Sequence, residues 1–187
     1  AKFVVQRIRD LIEEGTDPSE IAVLYRAHFH SMELQMELTR GEIPFRITSG
    51  IRFFEQAHIK DVVAFMRFVV NPRDELSFRR MVMLLPGIGP GMAQKLWIRW
   101  TACPESRKET PPESFSALML DFPVPAKSRT AWTQLCYTLD ELAPAGKLAG
   151  PASMLLSINE AVYDEYMQAA FENYDQRRQD LLHLAEF

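Results

Sequence analysis

A mainly helical body, preceded by a small and incomplete α/β piece, is the fold class this sequence predicts. Three observations carry it. From about residue 57 onward apolar residues recur at helical spacing in one segment after another. The short runs with the look of strands, Ile21-Ala22-Val23-Leu24-Tyr25 and Ile43 to Ile47, both lie before residue 50. Between the two regimes stands Thr48-Ser49-Gly50, where the rhythm changes. The predicted division is therefore residues 1–50, then residues 51–187.

Each element has its own signal. Val4, Ile8, Leu11 and Ile12 recur at helical spacing, and Gly15 supplies a stop. Thr16-Asp17-Pro18-Ser19 is a turn before the first apolar run. Ser31 is placed to cap a second helix that runs to Arg40 and stops at Gly41. Pro44 puts the second apolar run at an edge or a strand start. Ile59, Val62, Val63, Met66, Phe68 and Val70 then mark a largely buried helix ending at Asn71-Pro72. Asp74 can cap the next, with Leu76, Phe78, Met81, Val82 and Leu85 facing inward. Pro86 to Pro90 is a tight turn, and a further helix runs through Leu96 and Trp100. Five of the twelve prolines fall within residues 104–125, an irregular connection with one helical turn near Phe115. Ala126 to Leu142 is an amphipathic helix, Pro151 suits a helix start, and a break is expected near Asn173.

The chain has 187 residues, 47% hydrophobic and 25% charged, which excludes wholesale disorder. Its net charge of -4 speaks against a nucleic-acid binder. The charge is segregated, however. Residues 1–39 hold 4 basic and 7 acidic side chains, residues 40–108 hold 12 and 6, and residues 109–187 hold 5 and 12. The middle third is basic and the tail acidic. Cys103 and Cys136 have no metal-type spacing, and reduced thiols in a cytoplasmic protein are expected. No apolar run is long enough for a membrane span. The chain opens on Ala1 and closes on Phe187 inside a periodic pattern, so a piece of a longer protein is expected.

No G-x-x-x-x-G-K-[ST] loop, G-x-G-x-x-G turn, H-E-x-x-H or G-x-S-x-G is present, so no catalytic residue is assigned. The strongest local feature is Leu85-Pro86-Gly87-Ile88-Gly89-Pro90-Gly91-Met92-Ala93. Three alternating glycines permit tight backbone geometry and close approach by a partner. The helix that follows turns its free N–H groups back on the turn, which suits a phosphate. With Val82 before it and Leu96 after it, the pattern looks like a helix-hairpin-helix motif, which grips DNA backbone without reading sequence. A plain inter-helix turn is the alternative. Lys95, Arg99, Arg79 and Arg80 lie nearby and could add backbone contacts.

Two weaker features remain. The first apolar run ends in Arg26 and His28, polar groups at the carboxyl end of a strand. An ion pair for Arg26 and a loop or cap role for His28 are the alternatives. A metal site from His28, His30 and His58 has no accompanying carboxylates or thiols, and no metal is assigned. In Gly50-Ile51-Arg52-Phe53-Phe54-Glu55-Gln56-Ala57-His58-Ile59-Lys60-Asp61, the paired aromatics are either packing or a hinge that seats one domain on the other. Trp97 and Trp100 are expected in the core. Asp164, Glu165, Glu172 and Asp175 are expected to form a solvated face.

In this order and spacing, the stretch from Ile21 to Leu96 resembles the UvrD/Rep/PcrA-like family of superfamily 1 DNA helicases. Ile21 to Leu38 is similar to helicase motif IV. Gly50 to Asp61 is similar to the segment where the chain passes from the second RecA-like domain, 2A, to the accessory 2B subdomain. Gly87-Ile88-Gly89 is similar to that subdomain's glycine-isoleucine-glycine element. The resemblance implies a partial RecA-like 2A segment over 1–50 and a helical 2B subdomain over 51–187. It implies a parent enzyme that unwinds DNA 3′ to 5′ with ATP and Mg, neither of which this piece would bind.

By position, Arg26 would be the basic contact to single-stranded DNA and His28 the polar one, where the family commonly has Asn. Gly87, Ile88, Gly89, Gly91 and Lys95 would meet duplex backbone near a single-strand/duplex junction. Thr48, Ser49, Gly50, Phe53, Phe54 and Lys60 would form the hinge and junction. Gln56 and His58 stand where the family often has Arg and Glu. The expected partners are DNA and the rest of the helicase chain. A stand-alone helix-hairpin-helix module, or a helical protein–protein adaptor without a motor, are the other readings. The basic middle third contains both the junction and the glycine turn, so the acidic tail is expected to face away from DNA.

Overall fold

The computed structural model of the chain describes residues 1–26, 28–47 and 53–186, with backbone alone for residues 28–30. Two compact units divide it, Ala1–Gln56 and Ala57–Phe187.

The first unit is a helix pair. Helix α1, Lys2–Glu13, and helix α2, His28–Arg40, bury Val5, Ile8, Leu34 and Leu38 between them, and Val4, Ile12, Ile21, Ile43 and Phe45 close over that cluster. Gly15 ends α1 as its sequence position predicts, at φ +97°, where only glycine sits without strain. The Gly15 and Thr16 N–H groups donate back to the Ile12 and Leu11 carbonyls at 3.0 and 2.9 Å, which satisfies the last turn.

Helix α2 ends at Arg40, before Gly41, as expected, but the stop does not use a left-handed glycine. The left-handed residue is Glu42, at φ 54°, and not Gly41. Glu42 and Ile43 N–H donate to the Thr39 and Leu38 carbonyls at 3.1 and 3.0 Å. Gly41 serves another purpose, because a Cβ there would lie 2.6 Å from Arg9 Nη2. That guanidinium donates to the Gly41 carbonyl at 3.5 Å. Ser31 is not a cap either. The helix starts three residues earlier, and the buried Ser31 hydroxyl accepts from Gln35 Nε2 at 3.0 Å.

Neither predicted strand forms. Among the described residues there is no strand, and Leu24 is 95% exposed within the run read as buried on both faces. Apolar and β-branched residues supply propensity, but a strand also needs a neighbour to take its N–H and C=O groups. Here Ile21, Ile43 and Phe45 cover the helix pair instead. Thr48, Ser49 and Gly50 lie outside the described residues.

The second unit is built on helix α3, Ala57–Val70, and helix α4, Glu75–Val82. Asp74 caps α4 as predicted, accepting from Ser77 N–H at 3.0 Å and from its hydroxyl at 2.8 Å. Burial opposes ionisation of this carboxyl, but the two Ser77 bonds and the Arg67 guanidinium prevail and hold it below the usual carboxylate range. Leu76, expected inside, is 76% exposed, because the inward stripe of α4 is Phe78, Met81 and Val82. Helix α5, Pro90–Thr101, adds Leu96, Trp97 and Trp100 to the core, so both tryptophans are packing residues.

Phe68 is the hub of that core. Its ring lies 5.2 Å from Phe78, 5.5 Å from Trp100 and 5.6 Å from Phe115, which belongs to the short helix α6, Phe115–Met119. Trp100 Nε1 donates to the Pro72 carbonyl at 2.8 Å. Helix α7, Arg129–Leu142, holds α6 through Asp140. That carboxylate accepts from the Phe115 and Ser116 N–H groups and from both the Ser114 and Ser116 hydroxyls. Trp132 Nε1 donates to the Met119 carbonyl at 2.9 Å.

Helices α8, Pro151–Ile158, α9, Asp164–Ala170, and α10, Tyr174–Glu186, complete the unit, with the expected break between α9 and α10. A π turn over Asn159–Tyr163 joins α8 to α9 and was not legible in the pattern. It delivers Tyr163 to Asp61, a buried carboxylate on α3. The Tyr163 hydroxyl donates to Asp61 at 2.6 Å, and Arg80 Nε pairs with the other oxygen at 2.7 Å. Burial, and then the bond to Asp61, push the tyrosine hydroxyl well above its ordinary pKa. One turn earlier, the wholly buried His58 takes Arg177 Nη1 on Nδ1 at 2.7 Å and faces Asp180 from Nε2 at 3.2 Å, off the hydrogen-bond line. A guanidinium only donates, so Nδ1 accepts and the ring proton sits on Nε2.

Glu42→Gly should stabilise the chain by up to about 1 kcal/mol by removing a left-handed non-glycine residue; thermal melting checks this, and an unchanged or lower midpoint contradicts it. The Cys136 thiol is buried and pushed up to about 12, by burial and then by the Asp140 carboxylate. A thiol reagent at mildly alkaline pH should therefore modify half-buried Cys103 in the folded chain and reach Cys136 only in denaturant.

Candidate nucleic-acid interface

Between α4 and α5 the chain makes a tight turn at Pro86 to Gly89. After Val82 the chain tightens, with Leu84 N–H on Met81 O and Leu85 N–H on Val82 O, both at 3.2 Å. Ile88 N–H then closes on Leu85 O at 3.2 Å. The turn requires φ +82° at Gly87, which explains the first glycine. Leu85 and Ile88 are both 4% exposed and anchor the turn in the core, while Gly87 and Gly89 face out. Ile88 therefore holds the loop from beneath rather than facing a partner.

Gly89 is the N-cap of α5, with extended backbone that any residue could adopt, and Pro90 fills the first helical position. Nothing lies within 4 Å of where a Cβ would sit at Gly89 or Gly91. The first turn of α5 carries no acidic residue, and its N–H groups have no side-chain cap. An exposed, uncapped helix N-terminus of this kind favours an anion.

The surrounding charge is sparser than the sequence count suggests. Arg80 is spent on buried Asp61, and Arg79 reaches Glu75 at 3.4 Å. Arg67 and Arg73 pair with Asp74 and Glu109 at 3.4 and 2.7 Å. Arg99 lies over the Phe122 ring at 5.9 Å. Lys95 is exposed on α5 and makes no ion pair among the described residues. Two residues from far along the chain complete the turn. The wholly buried Ser128 donates to the Pro86 carbonyl at 2.6 Å. Lys127 lies across Gly87, its Cε 1.9 Å from where a Cβ would be. Neither residue has a local signal in the sequence, because their contacts bridge about forty positions.

Gly87, Ile88, Gly89, Gly91 and Lys95 thus share one hairpin and helix of the second unit. Arg26 and His28 belong to the first unit, Arg26 exposed and His28 the first residue of α2. Of the junction residues, Phe53 is buried and its N–H donates to Gln35 Oε1 at 2.9 Å. Phe54 is half-exposed with its ring edge-on to Phe53 at 5.1 Å, and Lys60 is exposed on α3. Among the described residues no group of three His, Cys, Asp or Glu could hold a metal ion. None of their helices is long and apolar enough to cross a membrane.

Gly89→Asp should leave the fold intact and raise the melting midpoint slightly, since aspartate as N-cap is worth roughly a few tenths of a kcal/mol over glycine, and the site has room for it; a cooperative melt below that of the parent chain would contradict the open geometry.

The family model described as "UvrD-like helicase C-terminal domain" matches residues 1–124. DNA helicase II of Haemophilus influenzae is 42% identical over 82 residues, covering 44% of this chain and 11% of that protein. DNA helicase II of Escherichia coli K12 is 39% identical over 82 residues with the same coverage. The ATP-dependent DNA helicase UvrD1 of Mycobacterium tuberculosis H37Rv is 38% identical over 84 residues, again 44% of this chain and 11% of the relative. The matched stretch thus spans about a tenth of the length of these relatives. With residues 1–124 of its 187 matched, the chain belongs to the UvrD-like helicase C-terminal domain family.

Proposed function

We propose that this chain is a DNA-binding and regulatory piece of an ATP-dependent 3′-to-5′ DNA helicase. In this reading the Gly87–Gly91 hairpin and Lys95 grip the backbone of duplex DNA near a single-strand/duplex junction. The observation that carries it is the exposed, uncapped start of α5 behind two outward glycines, in a chain of a helicase family. A phosphate can approach the backbone N–H groups there without meeting a side chain at Gly89 or Gly91. Backbone contacts of this sort position a duplex and carry no base sequence.

Arg26 and His28 take the single-strand contacts of motif IV in this proposal. Residues 1–50 serve as the 2A segment, 51–187 as the 2B subdomain, and Thr48, Ser49 and Gly50 as the hinge between them. ATP and Mg belong to the longer enzyme. The residues present do not fit a nucleotide, since no G-x-x-x-x-G-K-[ST] loop is in the sequence.

A fluorescently labelled duplex with a single-stranded tail, titrated with the 187-residue chain at two salt concentrations, tests this. Binding should weaken as salt rises, since each phosphate contact releases counterions. Gly89→Asp should weaken it roughly tenfold or more, because a carboxylate set against a phosphate costs at least about 1.4 kcal/mol. No binding by the parent chain, or equal binding by the variant, would refute the assignment of the hairpin.

A further inference from the structure

We infer that Lys127, outside the residues matched to the family, is a further contact to duplex DNA backbone, its ammonium joining the Gly87–Gly91 hairpin on one phosphate. This rests on the DNA-contact role proposed above for that hairpin.

Three features of the structure carry the inference. The first is placement. A Cβ built on Gly87 would meet Lys127 Cε at 1.9 Å, Cδ at 2.8 Å and Nζ at 2.9 Å. The lysine stem therefore crosses the turn where Gly87 lacks a side chain, with its ammonium beside that exposed glycine. The second is rigidity. The helical turn Ala126–Ser128 is pinned to the hairpin by Ser128, wholly buried, whose hydroxyl holds the Pro86 carbonyl at 2.6 Å. Lys127 thus leaves from a fixed point, and less ordering of the side chain remains for a ligand to impose.

The third is the fate of the other cations in the acidic third. Residues 109–187 contain five Lys and Arg. Arg129 donates to the Leu120 and Phe122 carbonyls, both at 3.4 Å. Arg177 is held by His58, Asn173 and the Phe171 ring, and Arg178 pairs with Asp164 at 3.6 Å. Lys127 and Lys147 are exposed and make no ion pair among the described residues, and of the two it is Lys127 that lies at the turn. A cation kept at an exposed anion-suited turn, with no ion pair among the described residues, is matched by a phosphodiester oxygen. A lysine ammonium suits that role as a point charge with three rotatable donors.

Lys127 could serve packing alone, since its stem covers Gly87. Lys127→Met separates the two roles by keeping an unbranched apolar stem and removing the charge. The labelled tailed duplex is titrated over a salt series with the parent 187-residue chain, Lys127→Met, Lys127→Arg, Gly89→Asp and the control Lys147→Met. Lys127→Met should weaken binding several-fold at low salt and reduce the slope of log K against log salt by about 0.9, the loss of one phosphate contact. Lys127→Arg should retain the parent slope, Lys147→Met should bind as the parent does, and the three lysine variants should melt at parent temperatures. Parent affinity and slope in Lys127→Met, with Gly89→Asp impaired, would overturn the inference and leave the hairpin's role standing. An equal loss in Lys147→Met would overturn it too, by showing long-range charge rather than contact. Absence of binding by the parent chain would sink both proposals together.

Discussion

Everything at the hairpin depends on the packing of Phe68. Its ring meets Phe78 from α4, Trp100 from α5 and Phe115 from α6 within 5.2 to 5.6 Å. Such pairs add about 0.5–1.5 kcal/mol each beyond the apolar area they bury. More important than the sum is the geometry. With Phe78 before the turn and Trp100 after it seated on one ring, the two helices that flank Pro86 to Gly89 have little freedom to splay. The loop is short enough that fixing its ends fixes its course. Ile88 adds an anchor from below, and Ser128 one from the side. The exposed N-terminus of α5 is thus presented by a rigid scaffold rather than by a mobile loop.

Electrostatics works on two scales in this protein. Four of the twelve cations that make the middle third basic pair locally with Asp61, Asp74, Glu75 and Glu109, and both arginines of α4 are among them. Asp61 is the extreme case, a buried carboxylate that must be compensated. Arg80 and Tyr163 supply that compensation, and they bring α4 and the π turn after α8 onto α3. His58 does the same for α10 through Arg177 and Asp180. Polar residues one turn apart on α3 therefore organise half the unit. At the α4–α5 turn, Lys95 and Lys127 make no ion pair among the described residues. The net charge of a segment counts residues. The field at a site counts those left unpaired.

The two ends of the first unit's helices show how far a sequence pattern reaches. Gly15 was legible because the residue that stops α1 is also the one that takes the left-handed conformation. At α2 the glycine and the left-handed position part company. Arg9, thirty-two residues away, reserves the space at Gly41, and the strain falls on Glu42. The apolar runs at Ile21 and Ile43 were read as strands for a similar reason. Their composition was suitable, but pairing requires a neighbour, which no local pattern reveals.

The sequence by itself determined the helical periods of the second unit, the Asp74 cap, the tight turn at Pro86–Pro90 and the glycines that make it possible. Each of these rests on interactions between residues a few positions apart, so a local pattern contains the cause. The tertiary structure alone decided that Leu76 faces out, that Arg79 and Arg80 are spent on acids, and that Lys127 crosses Gly87. These outcomes depend on which surfaces meet after distant segments fold back, and no spacing along the chain encodes that. The hairpin was written in one stretch of sequence; the lysine that lies across it came from another.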